Sequence, residues 1–167
     1  MRHAILLLVV GLGNNLALAE NPQNVCGELR PQGGTIFTLA ISQYLSYEPK
    51  VEFTLCKRGV PPERFVVVER QGSGELKDWR HKRVRLNQAE YEQLFSLYDQ
   101  ALNYDVRIEA MGTDGSTWCI ETTRGFTYSK ACFWTPSYDS RKRRLTGLVA
   151  LGRELWRISG LDPEKLH

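Results

Sequence analysis

Histidine is scarce in this chain: only His3, His81 and His167 occur in 167 residues. Any Ser-His-Asp or Cys-His device would therefore have to use His81. That residue sits in Lys77-Asp78-Trp79-Arg80-His81-Lys82-Arg83, a basic stretch that gives poor support to a neutral general base. Closely spaced cysteines are missing too. No two of the four lie two to four residues apart, which removes the usual zinc spacing. There is no low-complexity tract and no internal repeat. The 22 basic residues nearly balance the 19 acidic ones, so net charge alone implies no nucleic-acid partner. No cofactor motif is present.

Long apolar runs are also lacking, with one exception at the start. Arg2 provides a positive region, Ala4–Gly13 an apolar run, and Asn14-Asn15 a break before Ala17-Leu18-Ala19. The layout is that of a secretory signal peptide with cleavage between Ala19 and Glu20. The run is shorter than the roughly 20 apolar residues that span a bilayer, so no membrane anchor is expected. Cys26 follows Gln23-Asn24-Val25, and a lipidation site would have a small residue directly before the cysteine. The expected product is residues 20–167, a single globular domain in the periplasm or the medium.

All four cysteines, Cys26, Cys56, Cys119 and Cys132, lie in that product. An even count in an exported protein implies two disulfides, with three connectivities open. Hairpin register chooses among them. With Gly125-Phe126 as a two-residue loop, Arg124 pairs with Thr127, and the pairing then runs outward without a slip. Trp118 falls opposite Phe133 and Ile120 opposite Ala131 on one apolar face. Glu121 falls opposite Lys130, and Cys119 opposite Cys132, on the other. The two cysteines occupy a non-hydrogen-bonded pair, where Cα atoms are about 4.5 Å apart and a disulfide closes. Sliding by one residue would scatter all four matches. Cys119–Cys132 is expected, and Cys26–Cys56 follows by elimination.

Elsewhere, strands are predicted at 35–41, 51–56 and 65–68, with a fourth short one at 84–86. Asn87 and Glu90 form a capping-box signature. Tyr91, Leu94, Phe95, Tyr98, Ala101 and Leu102 follow at helical spacing, more simply a face packed on a sheet than a ligand groove. A strand over 106–110 and a turn at Asp114-Gly115 precede the hairpin. A last helix is predicted from about Arg141 to Ser159, capped by Asp139 or Ser140 and stopped by Gly160. Strands, helix, strands, helix make an α+β fold, an antiparallel sheet with two packed amphipathic helices, disulfide-bonded.

Other constellations dissolve on inspection. Asp114 and Glu121 could be paired carboxylates, but Asp114 belongs to its turn and Glu121 to Lys130. Gly112-Thr113-Asp114-Gly115 lacks the flanking ligands of a calcium or phosphate loop. Trp118 points into the core, and Trp134 is more open to a surface role. With every cysteine in a disulfide, no thiol nucleophile remains, and no catalytic or metal site is expected.

Two basic clusters are left. Lys77, Arg80, Lys82, Arg83 and Arg85 read as a strand edge that discourages aggregation. Arg141-Lys142-Arg143-Arg144 is different, because four cations in the first turn of a helix oppose the macrodipole. A local rule broken without structural gain marks a candidate functional site.

Asp114-Gly115-x-x-Trp118, Glu121, Tyr128 and Trp134-x-Pro136 ahead of the final helix resemble a group of small exported bacterial proteins with the same DG-x-x-W, aromatic, W/Y-P pattern. The resemblance covers the last third of the chain and implies export and fold, not an activity. The expectation is a non-enzymatic periplasmic module that binds a protein with an acidic surface, such as an immunity protein or inhibitor acting on a secreted toxin or hydrolase. The alternative is an envelope accessory module that binds a glycan or a small anionic ligand.

Overall fold

The computed structural model describes residues 26, 34–44, 50–71, 81–104, 112, 115–124 and 127–161. The expected signal segment, the strand over 106–110, Asp114, and Lys77 and Arg80 of the first basic cluster lie outside them.

Strands β1 (Gly34–Tyr44), β2 (Lys50–Arg58), β3 (Glu63–Gln71) and β4 (His81–Arg85) lead to helix α1 (Gln88–Ala101). Strands β5 (Gly115–Arg124) and β6 (Thr127–Trp134) then lead to helix α2 (Thr146–Ile158). Each of the first three strands extends beyond its apolar core residues. All six form one antiparallel sheet in the order β4-β3-β2-β1-β5-β6. The first strand is central, and both halves of the chain share one sheet.

Period-2 alternation decides which face the helices cover. Phe37, Leu39 and Ile41 of β1, Val51, Phe53 and Leu55 of β2, Val66 and Val68 of β3, and Trp118 and Ile120 of β5 form one core with both helices. The hairpin has the expected register, with Trp118 opposite Phe133, Ile120 opposite Ala131 and Glu121 opposite Lys130. The disulfides are Cys119–Cys132, with Cα atoms 4.0 Å apart, and Cys26–Cys56, at 5.5 Å. The second holds a smaller cluster with Phe65 and Val67 on the opposite sheet face.

The first helix begins as its sequence dictates. Asn87 accepts from the Glu90 amide and the Glu90 carboxylate accepts from the Asn87 amide, both at 2.9 Å. Leu94, Tyr98 and Ala101 point inward, with Tyr98 stacked on Phe37 at 4.7 Å. The final helix ends in a Schellman arrangement. The Gly160 amide donates to Arg157 and the Leu161 amide to Trp156, and Gly160 takes φ +70°. Lys82 of β4 donates to the Ser159 carbonyl at 2.8 Å, placing a cation at the negative end of the helix. That accounts for one residue of the basic strand edge. Among the described residues no helix is long and apolar enough to cross a membrane.

Two glycines set how closely α2 approaches its neighbours. A Cβ on Gly147 would lie 2.5 Å from the Gln100 carbonyl carbon of α1, and one on Gly152 would lie 2.2 Å from the ring of Trp118. One obstacle is backbone and the other is a ring only 1% exposed, so neither yields easily. Helix propensity favours alanine over glycine by about 1 kcal/mol, yet overpacking costs about 1–3 kcal/mol. The clash wins. Gly147→Ala and Gly152→Ala are each expected to lower unfolding free energy by about 1–2 kcal/mol in urea titrations. Gly34→Ala, where no atom lies within 4 Å, is expected to be neutral; stabilisation by either helix substitution would contradict this packing.

Candidate functional site

The last helix begins at Thr146, not at Arg141, and its N-cap is Leu145 with no side-chain cap bond. Residues 136–144 form successive turns instead. The reason lies in the backbone. Thr135, Asp139 and Arg144 adopt φ of +35°, +48° and +54°, a left-handed conformation that interrupts a right-handed helix and disfavours non-glycine residues. The basic run therefore precedes α2 and, contrary to expectation, does not oppose its macrodipole from within the first turn.

What holds the turn is one member of the run. Arg143 is 2% exposed. Its Nη1 donates to the carbonyls of Thr135 (2.9 Å) and Tyr138 (3.1 Å), and its Nη2 to that of Trp134 (2.8 Å). A guanidinium presents a planar fork of donors and no acceptor, so it suits carbonyls that the irregular backbone leaves without strand or helix partners. Burial lowers the Arg143 pKa, and the nearby Asp139 carboxylate works against that shift. An arginine starts so far above neutral pH that the group remains charged. Arg143 thus packs the turn from within and, unlike its three basic neighbours, does not face solvent.

The remaining three cations face solvent. Arg141, Lys142 and Arg144 are exposed, with Lys142 loosely paired to Asp139 at 3.5 Å. Such an exposed pair contributes little and leaves the surface positive. Tyr138 is 58% exposed, and its ring lies 6.3 Å from that of half-buried Trp134. Thr135 ties this surface to β5: its amide donates to the Ser116 carbonyl at 2.6 Å, and its hydroxyl accepts from the Ser116 amide at 3.3 Å. Gly115 leaves room for that contact, since a Cβ there would lie 2.0 Å from the Thr135 hydroxyl, and its φ is +135°. Pro136 and Leu145 are buried, anchoring the turn from below.

The other sequence candidates are separated from this surface or spent elsewhere. His81 sits on the edge strand beside Glu69, Nδ1 3.4 Å from the carboxylate. Glu121 holds Lys130 at 2.5 Å, an interaction that raises the Lys130 pKa. Arg85 pairs with Glu63 at 2.9 Å, and Arg83 lies over the Phe65 ring at 4.3 Å. Trp118 is in the core, its Nε1 donating to Ser116. No group of three metal-ligating side chains occurs among the described residues. On α1, Tyr91 and Phe95 border an open groove of about 490 Å³ that also includes Asp99, so the amphipathic stripe is only partly covered. Comparison with family models, curated proteins and solved structures gave no match.

Arg143→Met removes donors from three carbonyls of the turn, of which that of Thr135 keeps the Tyr138 amide. Unsatisfied buried groups cost about 1–3 kcal/mol each before relaxation, and turn carbonyls can partly rehydrate. A loss of about 2–4 kcal/mol in chemical denaturation is expected. Arg144→Met, at an exposed position, should fall within about 0.5 kcal/mol of wild type. Equal effects at the two positions would mean that Arg143 does not hold the turn.

Proposed function

We propose that the protein is a non-enzymatic, exported binding module that docks the acidic surface of another protein through the 135–144 turn. An immunity protein or an inhibitor of a secreted toxin or hydrolase works in this way. The observation that carries the reading is the buried Arg143, which fixes a strained loop with Tyr138, Arg141, Lys142 and Arg144 on its outside. Residues held in sparsely populated backbone regions cost of order 1–3 kcal/mol each and concentrate at clamps and binding sites. A loop already fixed before contact loses less entropy on binding. Tyrosine and arginine are also the residue types that most often dominate protein interfaces, and three cations outside the turn accelerate encounter with an acidic partner.

The Trp134–Tyr138 ring pair beside these cations also supports the second reading, an envelope module for an anionic glycan. Affinity capture from the organism's own periplasm and secretome separates the two. The mature protein is expected to retain a protein, whereas retention of peptidoglycan or lipopolysaccharide without protein would favour the glycan.

A triple variant, Arg141→Gln, Lys142→Gln and Arg144→Gln with Arg143 kept, tests the surface against the captured protein. Thermal stability should be unchanged. Association measured by surface plasmon resonance should slow by about tenfold at low salt, and the difference should shrink as salt screens the charges. An unchanged association rate at low salt would contradict docking through this turn.

A further inference from the structure

The two disulfides occupy opposite environments. Cys26 is 4% exposed and Cys56 is fully buried, packed with Phe65 and Val67. Cys132, by contrast, is exposed on β6, the outermost of the described strands on its side of the sheet, and Cys119 is half-buried on β5. The chemistry of exchange makes that difference count, because an attacking thiolate must reach a sulfur from the side opposite the leaving sulfur. For Cys132 that side is the β6 margin of the sheet. For Cys119 it lies over β1, where the cross-strand neighbour is Ala40, 7% exposed.

We propose that Cys119–Cys132 is an exchangeable disulfide, attacked at the Cys132 sulfur by a dithiol reductant, while Cys26–Cys56 remains closed. In the first step the reductant's thiolate forms a bond to Cys132 Sγ, the bond between Cys119 and Cys132 breaks, and Cys119 leaves as a thiolate. In the second, the reductant's other thiolate attacks its own sulfur in the mixed disulfide and releases Cys132 as a thiolate. The reductant is oxidised to a disulfide, the protein gains two electrons, and the two thiolates take up protons according to pH.

The hairpin has independent reasons to survive the opening. Eight consecutive residue pairs hold β5 to β6 in register, and Glu121 stays bonded to Lys130. On the other face, Trp118 and Ile120 lie in the core with Phe133 and Ala131 packed against it. The bond adds a covalent link to a pairing that packing already specifies, so the singly opened protein is a folded species. Opening Cys26–Cys56 requires exposing the cluster around it.

The test exposes the native protein at mildly alkaline pH to graded reduced glutathione or dithiothreitol, then quenches by alkylation and maps the peptides. Cys119 and Cys132 should label roughly tenfold or more sooner than Cys26 and Cys56, because the buried bond reacts only through local opening. Glutathione, a monothiol, should be trapped as a mixed disulfide on Cys132 in preference to Cys119. The species with one bridge open should keep its near-ultraviolet circular dichroism. Simultaneous opening of both bridges, earlier opening of Cys26–Cys56, or an adduct mainly on Cys119 would overturn the proposal.

Discussion

The guanidinium of Arg143 lies beneath the connection between β6 and α2, and the path of the chain there depends on it. Three carbonyls from Trp134, Thr135 and Tyr138 turn inward to one planar donor fork. The Thr135 carbonyl also accepts from the Tyr138 amide, but without the fork those of Trp134 and Tyr138 would need water or a different backbone path. With it, the chain adopts left-handed geometry at three non-glycine residues within ten positions, and Tyr138, Arg141, Lys142 and Arg144 are left on the solvent side. The charge that packs the turn and the charges that decorate it come from one run of four basic residues, yet their roles are opposite.

A lock of this kind works only if both ends of the turn are fixed. The strand leading in is held by the β5–β6 register and by Thr135 against Ser116. The helix leading out is held by two close contacts, Gly147 on the backbone of α1 and Gly152 on the ring of Trp118. Its far end is tied to β4 through Lys82. Displacing the helix would therefore disturb the turn from behind, which links core packing at the glycines to the shape of the proposed docking surface.

Much of the fold was legible in the sequence because its signals are local or strictly periodic. The β5–β6 register followed from the alternation of Trp118 and Ile120 with Cys119 and Glu121, since a one-residue slip would have moved each to the wrong face. The start of α1 followed from Asn87 and Glu90, a reciprocal bond within four residues. The start of α2 lies five residues beyond the expected Arg141 because the intervening turn is held by a side chain reaching back to carbonyls up to nine residues away. A signal was nonetheless present. Four cations in a first turn contradict the preference of that position for acids, and the contradiction could have been read as evidence that the segment is not helical. Burial divided the basic run in a way that composition could not show: Arg143 went inside, while Arg141, Lys142 and Arg144 stayed outside.

A preformed docking surface requires the turn to be rigid before any partner arrives. Backbone ¹⁵N relaxation of the free protein measures that directly, through the amide order parameters of Tyr138, Arg141, Lys142 and Arg144. Values near 0.85, the level of rigid backbone and the same as in β6 and α2, are the expected result. Values below about 0.6 would show a flexible segment, and a turn that orders only on contact would contradict a docking surface set in place by Arg143.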